Sequence, residues 1–378
     1  MPETMDEIWE LLQLRQKIKR GLFVPIISDS VRTERIFDID YDYDVGLAKG
    51  EVDSHIAELN IEEELAEKWA KKIGYPLPDK HRLARVAVYN SVKSRNDPLA
   101  RCKYLTFLKE HLVQLAKGDD KASAQLRELN KLLKQNDDIE DLSFSRIATI
   151  LGYPRFGKKC LDPLRLLAKL HLPIYVTTSY FDFMERALRA EERQPRTQIC
   201  FVLGKQPGQP PADIAEEHKP DPDYVPNQEE PLVYHLHGFE DYPESLVLSE
   251  DDYLDFLVRT SEERRTSHAP KSHDPTPPPP IIPVYLPAYL VQSSLILLGY
   301  RLQDWDFRVL FRGLLRHMEL RTRSLAIQLD PHEQKEIEDS DAAREYLDQY
   351  FEPEKFFVVW GTTDSVVKAL WDKWNGGG

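Results

Sequence analysis

The sequence has few cysteines, and none of them are paired at the spacing of a zinc site. Cys102, Cys160 and Cys200 lie far apart, without a Cys-x-x-Cys pair. This excludes a zinc ribbon and gives no sign of a disulfide framework. We therefore expect no bound zinc and a reducing, cytoplasmic environment.

Long apolar runs and a basic surface are also lacking. No apolar run reaches the roughly 18 residues of a membrane helix, and the amino terminus is acidic and amphipathic, unlike a signal peptide. Asp and Glu number 64 against 50 Lys and Arg, a net charge of −14, whereas non-specific nucleic-acid binding needs a basic surface. We expect no membrane or direct nucleic-acid partner, although a local basic pocket for an anionic small molecule remains compatible with this charge.

Short apolar runs alternate with amphipathic segments along the chain. The predicted strands are 22–27, 173–178, 197–203, 232–237, 295–298, 324–329 and 356–360. Six or seven such strands between helices are typical of an α/β fold with a doubly wound, mostly parallel, Rossmann-like sheet. Residues 52–168 read as a large helical insertion or cap, which leaves 1–51 and 169–378 as the Rossmann-like core. Two Pro-rich loops are predicted within that core, at 204–230 and 266–283.

Polar or small residues stand at the ends of four predicted strands. They are Ser28-Asp29-Ser30, Thr177-Thr178-Ser179, His237-Gly238 and Gly299-Tyr300. Because the carboxyl ends of parallel strands meet at one edge of a sheet, we expect these residues to line one nucleotide pocket. Asp304 and Asp306 follow, and their carboxylates could accept hydrogen bonds from ribose hydroxyls or from the amides of a helix N-terminus.

Several of these residues also have a structural interpretation. Asp182 precedes the helix predicted from Phe183 and can cap it, and Asp306 can cap a helix likewise. His235, two residues before His237 on the same strand, is interpreted as structural. The acidic segment 38–44 is either a solvated loop or edge strand or a metal site, and it is the only support for a nuclease or other nucleotide hydrolase.

Three segments resemble the sirtuin-like domains of bacterial antiphage proteins. They are VTTSYFDFMERAL at 176–188, VYHLHG…ESLVLSEDDYLDFL within 233–257, and LILLGYRLQDWDFRVLFRGLL at 295–315. The resemblance covers roughly residues 20–35 and 170–375, and the helical block with its GYPLPD segment is similar to the subgroup paired with a HerA-type ATPase. Such domains resemble the sirtuin Rossmann core but cleave NAD instead of deacylating proteins. The resemblance implies an NAD glycohydrolase of antiphage defence, with NAD as its substrate, acting as a homo-oligomer with a HerA-like ATPase subunit.

The resemblance also implies roles for individual residues. The family's pyrophosphate-binding Gly-rich loop falls on Ser28–Ser30, where Gly-Ala-Gly would be expected, and Arg32 or Arg35 would offset the charge of Asp29. The Thr-x-Asn-x-Asp motif places Ser179 at the Asn position, with Asp182 one residue beyond the Asp position. The family's His-Gly is unchanged. The implied general base is His237, which is expected to have a pKa near neutral pH, with Ser179 or Asp182 holding the water. The implied NAD-binding residues are Ser28, Asp29, Ser30, Arg32, Thr178, Gly238, Gly299, Tyr300, Asp304 and Asp306.

The two departures from the family pattern support an alternative function. Without the loop glycines and the Asn, the chain can be a catalytically silent module that binds a nucleotide or acts as a scaffold in a larger complex. Protein deacylation is disfavoured, because no Cys-x-x-Cys pairs are present to build a zinc-bearing small domain that forms a peptide groove.

Overall fold

The computed structural model describes most of the chain. The described residues are 5–95, 100–134, 139–157, 161–201, 213–219, 221, 223–267, 282–283, 285–301, 304–315, 318–334 and 337–376, without the side chains of 263–267 and 306. The predicted Pro-rich loop 204–230 is described only in part, and nearly all of 266–283 lies outside the described residues.

Seven strands of the described chain form one parallel sheet. They are β1 (Phe23–Ile27), β2 (Ile174–Thr177), β3 (Arg196–Ile199), β4 (Leu232–His235), β5 (Ser294–Leu298), β6 (Ser324–Gln328) and β7 (Phe356–Trp360). Their order is β3-β4-β2-β1-β5-β6-β7, and every neighbouring pair is parallel. The predicted doubly wound α/β fold is therefore confirmed.

Helices lie before the first strand, in most of the connections between strands and after the last strand. They are α1 (Met5–Leu11), α2 (Leu14–Lys19), α3 (Thr33–Phe37), α4 (Tyr43–Lys49), α5 (Val52–Ala57), α6 (Ile61–Ile73), α7 (Leu83–Lys93), α8 (Ala100–Lys117), α9 (Ser123–Leu133), α10 (Phe144–Leu151), α11 (Pro163–Ala168), α12 (Phe183–Ala190), α13 (Glu250–Ser267), α14 (Tyr285–Gln292), α15 (Trp305–Leu310), α16 (Ser340–Phe351) and α17 (Thr363–Asn375). A π-helix, Phe311–Leu315, continues α15. Helices α3 to α11 all lie between β1 and β2 in the chain.

Each face of the sheet is buried under its own set of helices. Ile27 and Ile296 face a core shared with the helices between β1 and β2 and with α12 and α17. Ile26 and Leu297 face the opposite core, formed with α13 to α16. Because adjacent residues of a strand point to opposite faces, both faces are apolar, as the near-continuous apolar runs in the sequence require.

Local differences from the sequence-based prediction have identifiable causes. The helical spacing of apolar residues over 5–20 predicts a single helix, but Gln13, whose φ of 51° does not continue an α-helix, divides it into α1 and α2. The acidic segment is not simply a loop or edge strand, because Asp42 accepts a hydrogen bond from Val45 N at 3.1 Å and so caps α4. The sequence also predicts a helix over 331–350, whereas α16 begins only at Ser340, after a 3₁₀ turn at Pro331–Glu333.

Candidate functional site

The centre of the carboxyl edge lies between β1 and β5. The chain leaves β1 toward β2 on one side and leaves β5 toward β6 on the other, so the strand order reverses here and opens a crevice. Ser28 N donates to Leu298 O at 2.9 Å, and Ser30 Oγ donates to Gly299 O at 2.7 Å. The loops after β1 and β5 are thus in direct contact.

Gly299 allows this close approach. Its φ is 78°, and a Cβ at this position would lie 2.5 Å from Val31 Cγ2 and 2.9 Å from Ser30 Oγ. Both the left-handed backbone and the packing therefore require glycine. Tyr300, the next residue, is buried, and its backbone oxygen accepts from Gln328 Nε2 at 3.0 Å, which ties β5 to β6.

The loop predicted to cradle a pyrophosphate is bonded within the protein. Ser30 N donates to Ser28 Oγ at 3.4 Å and Val31 N donates to Ser28 O at 3.2 Å, which closes a short 3₁₀ turn. Asp29 Oδ1 accepts from Ser179 Oγ at 2.6 Å and from Thr33 Oγ1 at 3.0 Å. Amides that a phosphate would need are therefore engaged, and the Asp29 carboxylate is anchored to the loop after β2.

The two arginines expected to offset Asp29 are paired with other carboxylates. Arg32 forms a buried ion pair with Asp162. Arg35 donates from Nη2 to Asp364 Oδ2 at 2.5 Å, and its Nη1 donates to Val31 O. Each guanidinium therefore has a carboxylate partner other than Asp29.

Thr178 and Ser179 directly follow β2 at the carboxyl edge of the sheet, beside the end of β1. The Ser179 hydroxyl donates to Asp29, while Thr178 Oγ1 lies 3.4 Å from Tyr300 Oη, across the end of β1. Asp182 lies differently: its Oδ1 accepts from Arg186 Nε at 2.6 Å, one turn along α12. Asp182 is the residue before α12, but its side chain forms no cap hydrogen bond with that helix.

The two histidines of the β4 end differ sharply in their surroundings. His235 Nδ1 lies 2.7 Å from Ser179 O, and its Nε2 lies 2.8 Å from Glu185 Oε1, with both side chains fully buried. Burial disfavours the charged ring, but Glu185 and the Ser179 carbonyl outweigh it and raise the pKa of His235. His235 thus has the bonding of a structural histidine.

His237 is buried without an equivalent partner. It is 1% exposed, its ring meets the rings of Tyr253 and Phe256 edge-on, and Nε2 has no hydrogen-bond partner. Burial lowers the pKa of His237 to about 3, well below the near-neutral value expected from the sequence, so the imidazole is neutral at physiological pH but is a weak base in this buried arrangement. Within the described part of the chain, no hydrogen bond joins it to Ser179 or Asp182.

Gly238 fixes the turn that carries His237. Its φ is 89°, and a Cβ would lie 2.3 Å from the backbone oxygen of Ser245. We expect Gly238→Ala to lower the free energy of unfolding by about 3 kcal/mol or more, because a backbone atom cannot yield as a side chain can. The control is Gly50→Ala, with φ 75° and nothing within 4 Å, which should cost only about 1–2 kcal/mol. Urea unfolding measures both, and equal losses would contradict the steric explanation.

A pocket of about 200 Å³ extends from the crevice across the ends of β5, β6 and β7. Ser30 and Gly299 line its inner side, and Gln328 and Thr362 line its far side. The sequence reasoning missed Gln328 and Thr362. The signal was present, because Gly361-Thr362-Thr363 follows β7 as a small, polar strand end of the same kind.

The acidic residues after Gly299 are described unequally. Asp304 directly precedes α15, and its Oδ2 accepts from Arg301 N at 3.2 Å. The side chain of Asp306 lies outside the described residues. Glu34, which was not predicted, lines the pocket 3.8 Å from Arg301 Nη2, and burial raises its pKa.

Among the described residues, no group of three or more His, Cys, Asp or Glu side chains is placed to hold a metal ion. In the acidic segment, Asp38 Oδ2 instead binds Tyr43 Oη at 2.8 Å and His55 Nε2 at 2.6 Å. No helix in the described ranges has the length and apolarity to cross a membrane.

Residues 173–351 match the family model of the SIR2-like domain. The match runs from the start of β2 to the end of α16, so it contains Ser179, His237 and Gly299 but not the loop after β1. This supports the predicted sirtuin-like domain in that part of the chain and suggests an NAD-related function. No curated protein matches the chain.

Proposed function

We propose that this protein binds NAD at the carboxyl edge of its sheet and hydrolyses the nicotinamide N-glycosidic bond. The observation that carries the proposal is the buried Nε2 of His237, which lacks a partner beside a glycine turn in a SIR2-like domain. A buried polar atom left unpaired costs about 1–3 kcal/mol, and a role of His237 in the reaction would account for that cost.

The chemistry needs a base but no general acid. The bond between C1′ and the nicotinamide nitrogen breaks, and its electron pair leaves with the nitrogen, which becomes neutral. Water attacks C1′ and loses a proton, so the products are ADP-ribose, nicotinamide and a proton. His237 is the proposed acceptor of that proton, and this role requires its pKa to rise as NAD and water enter the site and relieve the desolvation of the ring. The Ser179 hydroxyl orients the water or a ribose hydroxyl. Asp182 is the other candidate for the orienting role.

The pocket beyond Gly299 would take the adenosine end of NAD. Gln328 and Thr362 offer polar groups there, across the pocket from Ser30 and Gly299. The pyrophosphate would lie over Ser28–Ser30 and would have to displace bonds now made within that loop. The resemblance of the three sequence segments to antiphage domains supports a defence role in a homo-oligomer with a HerA-type ATPase.

A specific observation favours a second candidate, a nucleotide-binding module without catalysis. Ser30 N and Val31 N are already bonded within the loop, and the Asp29 carboxylate stands where phosphate oxygens would approach. A nucleotide bound without its pyrophosphate in the cradle would not bring C1′ to His237.

Incubation of the full chain with NAD tests the first candidate. We expect nicotinamide and ADP-ribose to appear in equal amounts, by chromatography, with the chain alone or with a co-expressed HerA-type ATPase. NADH is the chemical control, because its uncharged dihydronicotinamide is a poor leaving group and should not be released.

A thermal shift with ADP-ribose separates the candidates. Stabilisation by ADP-ribose, without nicotinamide release from NAD by the chain alone or with the ATPase, would support the non-catalytic module. Neither release nor stabilisation, from a folded chain, would reject both.

A further inference from the structure

One carboxylate fastens the loop after β4 to the helices between β1 and β2. Glu240, three residues after His237, is buried at 8% exposure. Its Oε2 accepts from Phe144 N at 2.9 Å, and its Oε1 accepts from Ser145 Oγ at 3.0 Å. Both donors belong to the first turn of α10, so a residue distant in sequence caps that helix. We call this set of three residues the Glu240–α10 clasp.

The clasp also reaches the loop that carries Ser179. Glu240 N donates to Tyr180 O at 2.9 Å. On the helix side, the ring of Phe144 packs on Phe181 with a centroid distance of 4.7 Å. The first turn of α10 thus contacts the loop after β2 directly through Phe144, and it is linked to the same loop by hydrogen bonds that pass through Glu240.

The same contacts continue to His237. Tyr180 Oη donates to Val247 O at 2.7 Å, and Val247 N donates to His237 O at 3.0 Å. The turn 237–247, the loop 179–183 and α10 therefore form one connected unit, in which the two proposed catalytic side chains are held by residues that would contact no substrate.

We propose that Glu240 is a positioning residue, which holds the loops of Ser179 and His237 against α10 and so makes the site depend on the helical block. Its effect on turnover rests on the proposed NAD hydrolysis, whereas its effect on the two loops does not. A contact made by the helical block that shifts α10 would therefore also shift both catalytic loops.

The clasp is compatible with both protonation states of Glu240. Burial raises the pKa of Glu240 to about 7, with Lys109 of α8 and Asp241 as the neighbouring charges. Ionised, both of its oxygens accept. Protonated, Oε1–H donates to Ser145 Oγ while Oε2 still accepts from Phe144 N. Glutamine reproduces the second pattern, since its carbonyl can face Phe144 and its amide can face Ser145.

Three substitutions and one control test the proposal in the full chain. Glu240→Ala removes both bonds, Ser145→Ala removes one, and Glu240→Gln keeps both. The control, Ser143→Ala, removes the helix's own cap on Arg146 N and leaves Glu240 in place. The readouts are amide hydrogen exchange at 177–182 and 237–247, and kcat and KM for NAD.

We expect Glu240→Ala to raise exchange in both loops by about tenfold, the size of a lost bond to a charged group, and to lower kcat more than KM rises. Ser145→Ala should give a smaller change, and Glu240→Gln should resemble the unchanged protein. Should Glu240→Ala not fold, Ser145→Ala against Ser143→Ala decides. Loop exchange no greater than in Ser143→Ala would overturn the proposal, and because exchange is read without turnover, an inactive but folded chain still tests it.

Discussion

Replacement of His237 by phenylalanine is expected to abolish nicotinamide release while leaving the fold at least as stable. General-base catalysis contributes about 10²–10⁴-fold, so residual activity should fall to about 1% or less. Stability should not fall, because phenylalanine has a similar ring and no polar atom to leave unpaired between Tyr253 and Phe256. Nicotinamide chromatography and urea unfolding measure the two effects.

The combination of the two results distinguishes a functional histidine from a structural one. His235→Phe is the control, because it removes bonds to Ser179 and Glu185 and should destabilise the protein strongly. His237→Phe removes no such hydrogen bond at Nε2, because His237 Nε2 has no partner. If His237→Phe keeps more than about a tenth of the activity, or unfolds as easily as His235→Phe, His237 is not the base.

The fold was predictable because the burial of each strand leaves a local run of apolar residues in the sequence. The strands of a parallel sheet are apolar on both faces, and runs such as Leu295–Leu298 stand out from the amphipathic helices around them. The polar residues at strand ends were also visible. They share one edge because the strands are parallel, which explains why Thr178 Oγ1 and Tyr300 Oη lie 3.4 Å apart.

The bonding within the site was not predictable, because it depends on pairs that are distant in the chain. Asp29 and Ser179 are 150 residues apart, and Arg35 and Asp364 are 329 apart. Nothing near Arg35 in the sequence indicates that Asp364 will take its charge. The sequence therefore indicated which residue types lie at the edge. Their hydrogen-bond partners, and the donors and acceptors that remain unpaired, are known only from the three-dimensional packing of the loops.

The same limit applies to Glu240. Its position after His237-Gly238 reads as an ordinary charged turn residue, since glutamate is rarely buried. Its partner Phe144 offers only a backbone amide, 96 residues away, which carries no side-chain signal. A helix cap supplied by a residue distant in sequence cannot be predicted from the local rule that Ser, Thr, Asp or Asn precedes the helix.

Glu185→Ala is expected to give the largest loss of stability from a single side chain, about 3–5 kcal/mol. Glu185 and His235 are both fully buried, and Glu185 Oε1 also accepts from Thr197 Oγ1 at 2.8 Å. Removal of the carboxylate leaves the His235 imidazolium without its counter-charge in the interior. The ring must then lose its proton or remain charged at a high desolvation cost.

The loss should depend on pH in a defined direction. Glu185 and the Ser179 carbonyl raise the pKa of His235 in the folded protein, against the opposing effect of burial. The stability from this pair is therefore fully present below the unfolded value of about 6.5 and is lost as pH rises through the folded pKa. The difference between the unchanged protein and Glu185→Ala should be larger near pH 6 than near pH 9, in urea unfolding at each pH.

Glu185→Gln separates charge from shape in this experiment. The amide keeps the volume and can bond to Thr197 and to a neutral His235, so its loss should be smaller than that of Glu185→Ala. A loss below about 1 kcal/mol for Glu185→Ala, or one that does not change with pH, would mean that His235 is neutral in the folded protein. In that event the Ser179 carbonyl would still be held by the ring, through a bond between neutral groups. The strength with which the loop of Ser179 is fixed therefore follows from the protonation of His235, two residues from the proposed base.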